Sequence, residues 1–215
     1  MVRGDPPERA AKLAPILAAE YPNTTISLNF NDPLELLVAT ILSAQCTDER
    51  VNRVTKELFR QYRTARDYAV TDRAELEEAV RPTGFYRNKA KHIQEMARKI
   101  VEEHEGVVPE TMEALLELPG VARKTANVVL SNAFGKVEGV VVDTHVRRVA
   151  GRLGLTDETD PVKIERELME VLPREQWREF AWRLILHGRL VCSARKPACE
   201  RCSLAELCPS AHSFG

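Results

Sequence analysis

A chain of 215 residues with 44% apolar content is long enough for one large core or two small ones and reads as globular rather than disordered. Its net charge of −1 excludes a uniformly basic nucleic-acid binder, so any nucleic-acid surface has to be local. No run approaches the ~20 apolar residues of a membrane span, and residues 1 to 11 carry charges of both signs without an apolar stretch, which reads as neither secretory signal nor transit peptide.

Residues 8 to 20 read as a helix with Leu13, Ile16 and Leu17 on one side, ended at Tyr21-Pro22. Asp32-Pro33 opens a second, Asp as N-cap and Pro at the first position, with Leu34, Leu37, Val38, Ile41 and Leu42 at core spacing. It ends near Ser43-Ala44-Gln45-Cys46, and Thr47-Asp48-Glu49 opens the next, whose Val51, Val54 and Leu58 face inward. Gln45 therefore sits at a helix–helix junction. Asp72 followed by Glu75 is a capping pattern for a helix bearing Leu76 and Val80, which Pro82-Thr83-Gly84 terminates. Phe85 and Tyr86 follow that turn directly, and residues 88 to 103 are helical again, with Ile93, Met96, Ile100 and Val101 inward.

Met112, Leu115, Leu116 and Leu118 then lead at helical spacing into Pro119-Gly120, where the missing N–H of Pro and the reversible backbone of Gly stop the helix. A second helix starts at once, from about 123 to 133, with Val128, Val129 and Phe134 inward and Gly135 as its stop. The hairpin so formed leaves backbone N–H groups open at a helix start beside Arg123 and Lys124, a ready site for a phosphate. Between residues 120 and 152 six Lys/Arg stand against only Glu138 and Asp143, whereas residues 66 to 80 hold five acids against two Arg, so the basic excess surrounds the hairpin. The apolar run Val140-Val141-Val142 precedes Asp143, an N-cap for a helix bearing Val146, Val149 and Leu153; Asp160-Pro161 starts one more, and residues 177 to 187 form the last long one. No segment reads as a convincing strand, and there is no repeat or low-complexity linker, so the fold class is all-α.

Cys192, Cys199, Cys202 and Cys208 follow as C-x6-C-x2-C-x5-C, a metal-site pattern. A disulfide framework fits poorly without a secretory signal. Zinc and a [4Fe–4S] cluster both remain open on spacing, although the departure from paired C-x2-C motifs leans away from zinc. Between the first two cysteines Arg195 and Lys196 adjoin Pro197; ligation at both ends would make a stiff basic loop for phosphates, against the plainer reading of a solvated charge pair. Cys46, far from the others, reads as a buried free thiol.

Residues 118 to 126 (Leu-Pro-Gly-Val-Ala-Arg-Lys-Thr-Ala), Asp143 nineteen residues after Lys124, and the cysteine spacing together resemble the endonuclease III group of helix-hairpin-helix DNA glycosylases, over about residues 34 to 208. The resemblance implies two helical domains with a DNA cleft between them and a cluster loop at the carboxy terminus. Residues 26–137 would form a helical barrel domain containing the hairpin, and 1–25 plus 138–215 a discontinuous cluster domain. It implies a [4Fe–4S] cluster on Cys192, Cys199, Cys202 and Cys208, and a bifunctional glycosylase and AP lyase removing oxidised pyrimidines from double-stranded DNA. The enzyme would be a cytoplasmic, nucleoid-associated monomer without a membrane partner.

Within that scheme a lysine amine attacks C1′, expels the base and leaves a Schiff base from which β-elimination breaks the strand. Lys124 is the nucleophile, since a helix start and Arg123 both disfavour its ammonium form, and Asp143 activates it or stabilises positive charge on the sugar. The plainer readings are a phosphate contact for Lys124 and an N-cap for Asp143. Gly120, Ala122 and Arg123 with Arg195 and Lys196 form the grip; Gln45 fills the vacated space and Phe85, where this group often has Leu, wedges the stack. Their plainer roles are a helix cap for Gln45 and core for Phe85. His145 contacts DNA, holds Asp143 or packs. Ala122 replaces the second glycine of the usual Gly-x-Gly; its methyl is tolerable at negative φ but would otherwise crowd the approach to phosphate. Two other readings share these features in part: a monofunctional adenine glycosylase, which lacks the lysine and usually carries a further carboxy-terminal domain, and a noncatalytic Fe–S DNA-binding protein.

Overall fold

The computed structural model describes residues 5–213, and among them no strand forms. The helices are, in chain order, α1 (Pro6–Glu20), α2 (Pro33–Leu42), α3 (Asp48–Gln61), α4 (Ala65–Val70), α5 (Arg73–Val80), α6 (Tyr86–Glu103), α7 (Met112–Leu116), α8 (Arg123–Ala133), α9 (Thr144–Arg152), α10 (Pro161–Val171) and α11 (Trp177–Leu190). The chain divides into two compact units, Ile26–Glu138 and, flanking it on both sides, Met1–Thr25 with Gly139–Gly215. Residues 1–4 and 214–215 of the expected cluster domain lie outside the described residues. No described helix is long and apolar enough to cross a membrane.

In the central unit α2 buries Leu34 and every residue from Leu36 to Leu42, as a helix that is apolar nearly all round, apart from Glu35 and Thr40, requires. Its start is set by Asp32, whose carboxylate accepts from the Glu35 N–H at 2.9 Å, with Pro33 in the first turn. Against it packs α8, burying Ala126, Val128, Val129 and Leu130, while α4 and α5 pack on the inner face of α6. Gly135 (φ 67°) ends α8 as expected, with the Lys136 N–H returning to the Leu130 carbonyl at 2.9 Å; Phe134 is only half-buried.

Several local expectations shift. α4 is absent from the periodicity, being only six residues long, yet Thr64 and Asp67 make a complete capping box for it. Asp72 caps α5 alone: Glu75 does not reach back but accepts from Gln61 (2.6 Å) and the Tyr62 hydroxyl (3.3 Å). Thr55, not Val54, is buried on α3, and Leu116 on α7 is 42% exposed. α6 begins two residues before the expected start, at Tyr86.

In the flanking unit α9 lies against α11, and α1 packs on α10 and α11. Gly188 permits the α9–α11 approach, because a Cβ there would stand 3.0 Å from His145 Cβ and 3.1 Å from the Arg148 guanidinium. Val140, Val141 and Val142 are buried in a segment without regular secondary structure.

Candidate functional site

The hairpin is built as its sequence demands. Leu118 and Val121 are buried beneath the turn, the Val121 N–H donates to the Leu118 carbonyl at 3.1 Å, and Gly120 takes φ 79°. Glycine is needed there twice over, since a Cβ would also stand 2.7 Å from His92 Cβ on α6. Ala122 is the N-cap of α8 at φ −93°, ψ 168°, an ordinary extended conformation that tolerates its methyl. It supplies no side-chain acceptor, and the first turn holds no acid, so the N–H groups and dipole of the helix start favour an anion. Lys124 is exposed on that first turn, beside the half-buried Arg123.

Gln45 and Phe85 share a property that the sequence did not announce. Both are non-glycine residues in the left-handed region, at φ 51° and φ 50°, and both are exposed, Phe85 by 62%. Such a conformation costs about 1–3 kcal/mol per residue and persists only where its surroundings impose it. Phe85 is therefore not core, and the Gln45 side chain caps no helix, since Thr47 caps α3. Beneath the two turns lies Lys89, 4% exposed, donating to the Leu42 and Thr83 carbonyls at 2.8 Å each. Burial pulls its ammonium below the usual lysine range, partly opposed by the nearby Cys46 thiol. The cue in the sequence was a lysine in phase with the apolar face of α6, four residues before Ile93. Cys46 is a free, half-buried thiol.

In the flanking unit Asp143 caps α9: Oδ1 accepts from the N–H groups of His145 and Val146, both at 2.8 Å. The cap uses one carboxylate oxygen, so capping and a second role at Oδ2 are compatible. The His145 ring packs against Gly188 of α11 with Nδ1 3.2 Å from the Arg148 guanidinium, and burial lowers its pKa. It is the His145 backbone, not its ring, that engages Asp143.

The four thiols of Cys192, Cys199, Cys202 and Cys208 line one cavity floored by Val149 and Leu153, and none is in a disulfide. Two side chains reach the sulfurs. Arg152 Nη1 donates to Cys192 Sγ at 3.2 Å, and His187 Nε2 lies 3.5 Å from Cys202 Sγ while its Nδ1 is 3.1 Å from the Tyr21 hydroxyl. Burial raises the Cys202 and Cys208 thiols above the usual range, and the neighbouring thiols add to it. The loop from Cys192 to Cys199 is held by Arg152, which donates to the Ser193 and Ala194 carbonyls at 2.7 Å each, and by the Ala198 N–H to the Val191 carbonyl at 3.0 Å. Arg195 and Lys196 are exposed on it.

Residues 38–174 match the model of the HhH-GPD superfamily of base excision DNA repair proteins, and residues 192–208 that of the iron–sulfur binding domain of endonuclease III. The endonuclease III of Synechocystis sp. is 59% identical over 95% of this chain and 93% of its own length, and that of Bacillus subtilis is 47% identical over 87% and 86%. The chain belongs to the endonuclease III family. An endonuclease III captured as a covalent intermediate with DNA is 42% identical to this family member, with a TM-score of 0.92 over 96% of this chain and 97% of that one. A noncovalent endonuclease III–DNA complex has the same identity, TM-score and coverage. As a member, the chain is a DNA glycosylase with AP lyase activity in base-excision repair; it binds DNA and holds an iron–sulfur cluster.

Proposed function

We propose that Lys124 is the nucleophile of this enzyme and that its substrates are oxidised pyrimidines and abasic sites in double-stranded DNA. The observation that carries the assignment is an exposed lysine on the first turn of a helix that begins uncapped and without acids, directly after the Gly120 turn. The amine nitrogen bonds to C1′, the glycosidic bond breaks and its electron pair leaves with the base; the sugar ring then opens to a Schiff base. Loss of a C2′ proton expels the 3′ phosphate and cleaves the strand. Asp143 assists through the carboxylate oxygen that does not cap α9, taking a proton from the amine or stabilising the cationic sugar.

Extrusion of the nucleotide falls to Gln45 and Phe85, both exposed and both left-handed: the amide replaces the lost hydrogen bonds and the ring enters the stack. Gly120, Ala122 and Arg123 with Arg195 and Lys196 hold phosphates, and His145 supports the start of α9. Cys192, Cys199, Cys202 and Cys208 hold a [4Fe–4S] cluster, in keeping with four thiols that line one cavity. When bound, the cluster cross-links the carboxy-terminal loops and stiffens the Arg195–Lys196 segment. In this reading the enzyme acts as a monomer on nucleoid DNA in the cytoplasm.

Sodium borohydride trapping of the Schiff base tests the assignment. Lys124→Gln is expected to abolish trapping and strand cleavage while damaged-DNA binding stays within roughly tenfold, one contact being worth ~1 kcal/mol. Retained trapping in that variant would move the nucleophile elsewhere.

A further inference from the structure

We infer that Lys89 is a positioning residue that couples the turn of Gln45 to the turn of Phe85, setting both side chains together for insertion into the duplex. The inference rests on the proposed insertion roles of Gln45 and Phe85. Its basis is a convergence of hydrogen bonds. The buried Lys89 ammonium donates to Leu42, three residues before Gln45, and to Thr83, two residues before Phe85. The Lys89 backbone N–H donates to the carbonyl of Phe85 itself at 3.1 Å.

A buried ammonium is unfavourable without compensation, and an apolar side chain of equal length would fill the same space. The compensation here comes from backbone carbonyls, one of them at the carboxy-terminal end of α2, where a cation is favoured. Removing the charge would leave those carbonyls without this donor and release two turns 47 and 6 residues away in sequence, at the places where the chain departs into left-handed conformations. Exposed side chains gain nothing from burial, so their geometry has to be imposed from the other side of the backbone. Lys89 is the residue placed to do that.

Single-turnover kinetics on two substrates test the inference: a duplex carrying an oxidised pyrimidine, and a single-stranded oligonucleotide carrying an abasic site, where no stack has to be entered. Lys89→Met is expected to slow the duplex reaction by about tenfold or more while leaving the single-strand reaction within about twofold. If Lys89 acts through the inserted pair, adding Lys89→Met to the Gln45→Ala/Phe85→Ala variant should cost no more than about a further twofold on duplex. Equal losses on both substrates, or full multiplication of the losses in the triple variant, would overturn the role. Should Lys89→Met fail to fold, Lys89→Gln, which keeps a donor for one carbonyl, takes its place in the same comparison. Wild-type duplex rates in the Gln45→Ala/Phe85→Ala variant would refute the insertion roles themselves. A loss there alongside a wild-type rate in Lys89→Met would refute the Lys89 inference alone.

Discussion

Replacing Phe85 by Ala and by Gly separates backbone strain from loss of the ring. Phe85 is 62% exposed at φ 50°, and whatever burial its ring has is lost equally in both variants, so it cancels between them. What remains is the left-handed penalty, ~1–2 kcal/mol for a residue with a Cβ, set against the ~0.5–1 kcal/mol of extra chain freedom that glycine loses on folding. The difference is roughly 0.5–1 kcal/mol in favour of Gly, the reverse of the order at an ordinary position. The same arithmetic applies to Gln45 at φ 51°. For a chain of this size the Gly variants should melt about 1–4 °C above the matching Ala variants in thermal scans at one heating rate. Both members of each pair should excise poorly from duplex DNA, so the more stable variant is no more active. Ala variants as stable as the Gly variants at both positions would refute the claim that these turns are strained.

Gly120→Ala should destabilise the central unit by about 2–4 kcal/mol, combining the left-handed penalty at φ 79° with overpacking, and should weaken binding to damaged and undamaged duplex alike. Adding His92→Ala should not rescue it in urea titrations, because the nearest atom, at 2.7 Å, is the His92 Cβ that alanine retains. Ala122→Gly should leave duplex affinity at fixed salt within about twofold, since Ala122 already sits at a negative φ; a gain of about tenfold would show that the methyl does obstruct a phosphate. Burial lowers the His145 pKa, opposed by Asp143 and reinforced by Arg148 and Arg189, so the unfolded chain protonates this ring first as pH falls through its ordinary 6.5. Stability should therefore drop below that pH and hold steady above it, and His145→Gln should flatten the dependence of the melting temperature on pH between about 7.5 and 5.5. An unchanged slope in that variant would acquit His145.

What the amino-acid sequence by itself determined are the features that close within a turn or two of chain. Asp32-Pro33, Asp143 and Asp160-Pro161 start their helices because a carboxylate needs only the N–H groups two or three residues ahead. Gly120 and Gly135 stop theirs because only the local backbone asks for a positive φ, and Lys124 reaches the start of α8 by its place in the chain alone. The cysteine spacing likewise marked a metal-binding tail, being a property of one short segment. Tertiary packing decided the rest. That Phe85 is not core is a matter of its exposure, and the strained turns at Gln45 and Phe85 follow from what lies beneath them rather than from their own propensities. Lys89 shares the phase of the apolar face of α6, but the partner that holds it there is remote in sequence: Leu42, 47 residues earlier, ends its helix against it. Arg152 and His187 reach the cysteine sulfurs across 40 and 15 residues of chain. A short-range pattern reports what a residue's own helix needs, whereas a buried charge or a strained turn is set by partners that meet only after the helices have packed.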